Sequence, residues 1–82
     1  MDESKKVTII RAGGTASAEI EVFPTDTVDQ LCILAAPQIG LSPEGTYQLL
    51  GVNGNPIKGD LYNSINPGDK LTLAQMGQGG NL

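Results

Sequence analysis

The hydrophobic period of this chain changes once, abruptly, between residues 16 and 35, and few folds can absorb such a change. Ala16, Ala18, Ile20 and Val22 alternate with Ser17, Glu19 and Glu21. That period of two buries one side of an extended strand and leaves the other to water. Beyond Pro24, the residues Val28, Leu31, Cys32 and Ala35 fall at i, i+3, i+4 and i+7, which is one face of a helix. Pro24-Thr25-Asp26-Thr27 stands between the two patterns. Proline has no amide to continue a sheet ladder. Thr27 suits the N-cap, where its side chain would satisfy an orphan amide of the first turn. Asp29 follows where the positive end of the helix favours an anion. Pro37 lacks the amide that a helix interior needs, so the helix should end or kink near Ala36. Gly40 should stop anything that continues.

The flanking segments complete the pattern. Val7-Thr8-Ile9-Ile10-Arg11 is β-branched and predicts a first strand. Gly13-Gly14 offers the turn that makes a hairpin with residues 16–23. Residues 1–6 are polar, and disorder is expected there. Tyr47-Gln48-Leu49-Leu50 predicts a third strand. Asn53-Gly54 and Asn55-Pro56 turn the chain, and Ile57 could start a short strand. Leu61 and Ile65 anchor an irregular or 3₁₀ stretch. Asn66-Pro67-Gly68-Asp69 turns into a last strand at Leu71-Thr72-Leu73. A hairpin, one helix and then further strands predict an α+β domain. Its sheet is mixed and four- to five-stranded, with the helix covering one face. The 82 residues leave room for one such core only.

Composition narrows the chemistry. The chain has no histidine and a single cysteine. A Ser–His or Cys–His nucleophile pair cannot be built from it, and a zinc site is not expected. The reading is therefore a protein that is not an enzyme, with no catalytic residue, no metal and no cofactor. Five Lys and Arg against nine Asp and Glu give a net charge of −4, and only Lys5 and Lys6 stand together. That is a poor footprint for nucleic acid or an anionic membrane, so neither is expected as a partner. One cysteine cannot form an internal disulfide, and Met1-Asp2-Glu3-Ser4-Lys5-Lys6 carries no apolar signal core. A cytoplasmic location is expected. Cys32 reads as a small buried hydrophobe rather than a thioester-forming residue. Glu19 and Glu21 read as a solvated face, and Lys58 and Lys70 as surface lysines rather than chain-linkage sites.

Three stretches carry a resemblance. Val22-Phe23-Pro24-Thr25-Asp26-Thr27-Val28-Asp29-Gln30-Leu31 is similar, without a gap, to the strand-to-helix junction of ubiquitin and its β-grasp relatives. Asn66-Pro67-Gly68-Asp69-Lys70-Leu71-Thr72-Leu73 looks like the last turn and strand of many such domains. From Leu71 to Gly80 the chain resembles the ubiquitin C-terminus, ending in Gly79-Gly80. The resemblance implies a β-grasp domain over residues 7–74 and a flexible tail over residues 75–82. There are departures. Gln75, Met76 and Gln78 replace the basic and leucine positions of ubiquitin's tail, the helix is shortened by Pro37, and Asn81-Leu82 follow the diglycine. The acidic balance and this tail look like prokaryotic ubiquitin-like modifiers.

What the resemblance implies is a modifier, a substrate of other enzymes. Gly79 and Gly80 are the expected conjugation terminus, where the missing Cβ lets the backbone approach catalytic groups closely. An extended segment from Ala74 to Gly80 reaches about 23 Å. Asn81 and Leu82 are expected to be removed by a processing peptidase. The implied partners are an enzyme like the ubiquitin-activating enzyme, a conjugating enzyme and the target proteins. Two alternatives share the domain. One is a non-covalent adaptor of the kind found beside bacterial secretion systems, and the other is a sulfur carrier with a terminal thiocarboxylate. A partner-binding patch is expected from Leu49 or Leu50 with Ala74 and Met76. Leu49 and Leu50 are adjacent, so one enters the core and the other faces outward. Ile33 and Leu34 lie off the core face of the helix with Ala36. A wide buried stripe that takes them in is the expectation, with an exposed apolar patch as the alternative.

Overall fold

A computed structural model of the chain describes residues 3–76. The elements run β1 (Lys5–Arg11), β2 (Ser17–Val22), α1 (Val28–Ala35), a 3₁₀ turn (Ala36–Ile39), β3 (Tyr47–Leu50), a second 3₁₀ turn (Tyr62–Ser64) and β4 (Lys70–Gln75). The sheet has four strands in the order β2-β1-β4-β3. β1 pairs antiparallel with β2 and parallel with β4, and β3 closes the other edge antiparallel to β4. This is the mixed sheet with one helix that the order of patterns implies. Among the described residues no helix is long and apolar enough to cross a membrane.

The core follows the alternation. Val7 and Ile9 on β1, Ile20 and Val22 on β2, Leu49 on β3, and Leu71 and Leu73 on β4 are all buried. They pack in one cluster with Leu31, Cys32 and Ala35 of α1, and Val28 is partly buried against it. Ile39, Leu61 and Ile65, from the connecting segments, fill the same cluster.

The strand-to-helix junction is built as its residues dictate. The Thr27 side chain accepts the Gln30 amide at 3.1 Å, and the Gln30 side chain accepts the Thr27 amide at 3.0 Å. This reciprocal capping box satisfies two amides left open at the turn into the helix. Asp26 accepts the Phe23 amide at 2.9 Å and bends the chain toward the cap. At the other end, Pro37 lies in the first turn of the 3₁₀ segment, where its missing amide costs no bond. Gly40 then takes a left-handed φ of 83°, and the helical path stops.

Three details depart from expectation. β1 begins at Lys5, so Lys5 and Lys6 belong to the sheet and not to a disordered end. The Lys5 ammonium donates to the carbonyls of Tyr62 at 2.7 Å and Ile65 at 3.0 Å, which ties the strand start down. β4 runs to Gln75, because β3 continues to pair with it past Leu73, Gln48 opposite Ala74 and Tyr47 opposite Gln75. No short strand forms at Ile57; the segment makes a single bridge, Leu50 to Pro56, and Ile57 donates its amide to Leu49. Ala36, at the start of the 3₁₀ turn, is fully buried, as a wide buried stripe would have it.

Replacing Thr27 by Ala should destabilise the domain by about 1 kcal/mol, with Thr27→Ser nearly neutral. Equilibrium urea unfolding of both variants checks this.

Candidate functional site

β4 positions every described residue of the expected site. Its register places Gln48 opposite Ala74, Leu49 opposite Leu73, and Leu50 opposite Thr72. Successive side chains on a strand point to opposite faces. Leu73 is buried against the helix, and Leu49, its partner, is buried with it. Leu49 is therefore a core residue and drops out of the expected patch. Leu50 is the outward leucine and is half-buried. Ala74 lies on the same outer face, diagonal to Leu50 across the ladder.

A residue that sequence reasoning missed joins them. Ile10 of β1 pairs with Thr72, on the side away from Leu50. Ile10, Thr72 and Leu50 thus form one row across three strands, all half-buried. The signal was present: Ile9-Ile10 is an adjacent apolar pair like Leu49-Leu50, and alternation sends one of each pair outward. The outer face is mixed in character. Gln48 and Ala74 extend the row toward the chain exit, and Lys70 borders it at the opposite end of β4.

Met76 is the last described residue. It is 44% exposed, and its amide donates to the Thr46 carbonyl at 2.9 Å. This bond continues the β3–β4 ladder one step past Gln75 and holds the chain at the sheet edge. Gly79, Gly80, Asn81 and Leu82, the expected conjugation terminus and extension, lie outside the described residues.

The helix behaves differently from expectation. Ile33 and Leu34 are 58% and 53% exposed. The buried stripe is narrow because a helix of eight residues lying on a four-stranded sheet needs only Leu31, Cys32 and Ala35 for full contact. Cys32 is buried, as a small hydrophobe should be. Burial pushes its thiol above the ordinary range, and the nearby Asp29 carboxylate pushes the same way. Both effects disfavour the thiolate, which is the nucleophilic form.

Leu49→Ala should cost about 2–5 kcal/mol in unfolding free energy, whereas Leu50→Ala on the outer face should cost less than half as much. Thermal or urea unfolding of the two variants separates core from surface. Cys32 in the native protein should react with iodoacetamide far more slowly than the same thiol in denaturant, with the rate rising as pH rises. The folded state holds the thiol proton more tightly than the unfolded chain. Stability is therefore unaffected by this group at neutral pH and falls as pH climbs through the thiol's range. Alkylation followed by intact mass, and unfolding curves at neutral and alkaline pH, check both statements.

The sequence matches no protein-family model and no curated protein. Among solved structures, the chain is similar to one described as Caldiarchaeum subterraneum ubiquitin. The two are 29% identical, with a TM-score of 0.71, over 95% of this chain and 100% of that one. Strand order, the single capped helix and this likeness agree: the chain has a ubiquitin-like β-grasp fold.

Proposed function

We propose that the chain is a ubiquitin-like protein modifier, made as a precursor and trimmed after Gly80. The Gly80 carboxylate is then activated by an ATP-dependent enzyme, passed to a conjugating enzyme and joined to target proteins through an isopeptide bond. The observation that carries this reading is the anchoring of Met76 to Thr46 at the sheet edge. From that anchor an extended chain to Gly80 spans about 13 Å. A terminal carboxylate on such a lead enters a narrow active site while the folded domain stays outside it. The likeness to a protein named as ubiquitin supports the same reading.

The chemistry asks little of the domain and much of the terminus. A Gly80 carboxylate oxygen attacks the α-phosphorus of ATP, and pyrophosphate leaves. An enzyme thiolate then displaces AMP, forming a thioester. A target amine finally displaces the thiolate and loses a proton. Gly79 and Gly80 present no Cβ to obstruct these approaches. Asn81 and Leu82 must first be removed, because the free carboxylate otherwise belongs to Leu82. The outer row of Ile10, Thr72 and Leu50, with Ala74 and Met76 beyond it, supplies the surface through which receptors or enzymes grip the domain. An adaptor would use that surface alone, and a sulfur carrier would need Gly80 as the terminus.

Tagged chains ending at Leu82 and at Gly80, with and without Gly80→Ala, should be incubated in lysate of the native host with ATP. Intact mass should show loss of Asn81-Leu82 from the longer chain. Blotting should show ATP-dependent adducts from both native chains and none from the Gly80→Ala variants. Chains that stay at full mass and form no adduct would overturn the proposal. Sulfur in place of a terminal oxygen at Gly80 would assign the chain to sulfur transfer instead.

A further inference from the structure

A groove of about 360 Å³ opens on the helix side of β3, away from the outer sheet face. It lies between α1 and the segment 43–47. Ile33, Pro43 and the Tyr47 ring give it apolar walls, and Cys32 lies at its inner side. Asp29 on the helix and Glu44 on the loop bring two carboxylates to it, and among the described residues no Lys or Arg lines it.

The loop wall is built rather than slack. The Tyr47 hydroxyl donates to the Ser42 carbonyl at 2.5 Å, bracing the ring across the loop. The Gly45 amide donates to the same carbonyl at 3.2 Å, and the Ser42 hydroxyl accepts the Glu44 amide at 3.2 Å. A Cβ on Gly45 would lie 2.5 Å from the Tyr47 hydroxyl oxygen. Only glycine therefore lets the ring lie where it does. A wall fixed before binding loses little entropy when a ligand arrives.

The position of the groove ties it to the tail. Thr46, in the same wall, accepts the Met76 amide, and Tyr47 pairs with Gln75. Met76, the last described residue, is thus bonded to the groove's wall. The modifier reading puts the activating enzyme at the residues that follow Met76, beside this wall.

We propose that this groove docks a segment of the enzyme that activates the tail, and that the segment presents an apolar side chain flanked by lysine or arginine. The apolar side chain fills the space between Ile33, Pro43 and Tyr47, and the cations meet Asp29 and Glu44. The choice of partner charge rests on complementarity: among the described residues two carboxylates and no cationic side chain line the groove. The choice of partner rests on the modifier reading above.

The test uses the full chain, labelled with ¹⁵N, and a blocked peptide of alternating arginine and leucine. Matched peptides carry glutamate for arginine, or glycine for leucine. The arginine–leucine peptide should shift the amides of Ile33, Glu44, Thr46 and Tyr47. The matched peptides should not. Combining Asp29→Asn with Glu44→Gln should weaken the binding about tenfold, and added salt should weaken it further. Equal binding of the glutamate peptide, or shifts confined to other surfaces, would overturn the proposal. So would groove shifts that follow protein concentration without peptide, because those assign the groove to a second copy of the chain. In host lysate with ATP, the double variant should form adducts about tenfold more slowly than the native chain, with its spectrum still that of a folded domain. Adducts at the native rate would sink the groove proposal and leave the modifier reading standing. Absence of adducts from the native chain would sink the modifier reading, with the peptide titration still deciding what the groove binds.

Discussion

The rest of the structure hangs on β1, a strand paired on both sides and pinned at both ends. It bonds antiparallel to β2, its neighbour in sequence, and parallel to β4, the last strand of the domain. Parallel pairing cannot be made by a tight turn, so everything between β2 and β4 acts as the crossover. Each end of β1 carries a cation that holds this crossover down. Lys5 donates to the carbonyls of Tyr62 and Ile65 and stands 4.1 Å from the centre of the Tyr62 ring. Arg11 reaches the carbonyls of Ile39 and Gly40, both at 3.5 Å. Both cations sit where a helical turn ends and its carbonyls lack amide partners, which is where positive charge is favoured. Two of the five basic side chains thus serve the fold, while Lys6, Lys58 and Lys70 are exposed.

The position of β4 follows from β1, and the functional geometry follows from β4. It runs between β1 and β3, so its inward residues seal the core and its outward residues join both neighbours. Ile10, Thr72 and Leu50 form a row only because β4 lies between the strands that supply the other two. The same strand ends against Thr46 and delivers the chain to the sheet edge, with the outer face on one side and the helix groove on the other. Two different surfaces therefore flank the end of β4. One is a half-buried row of mixed polarity, and the other is a groove where Ile33, Pro43 and Tyr47 stand beside Asp29 and Glu44.

How much of this was legible depends on the range of the interaction involved. The Thr27 cap is written in the few residues around it, without the reciprocal bond from Gln30 that the structure adds, and the hairpin in the alternation of Ala18, Ile20 and Val22. Both could be read directly. The Leu49-Leu50 pair could be read only as one in and one out, because the choice between them is made by Leu73, across the ladder. Ile33 and Leu34 raised the same difficulty on the helix. The width of a buried stripe depends on the sheet beneath it, and this sheet asks for a narrow one. Lys5 carried no signal at all. Its carbonyl partner at Tyr62 lies 57 residues away, and in sequence it stands in a polar stretch. The site was half legible for the same reason. Ala74 was expected from the resemblance and Leu50 only as one of a pair, while the choice of Ile10 over Ile9 and the groove needed the strand order.

By itself the sequence determined the kinds of elements, their order and their ends. Those depend on backbone dihedrals, caps and hydrophobic period, which act within a few residues. It also determined the absence of a histidine-based nucleophile, which is a matter of composition alone. Tertiary structure decided which leucine is core, which isoleucine faces outward, which cations are committed to carbonyls, and where the chain leaves the sheet. Each of these turns on a contact between residues far apart in the chain. Local pattern is silent about such contacts, because the same alternation fits either face until a neighbouring strand occupies one of them.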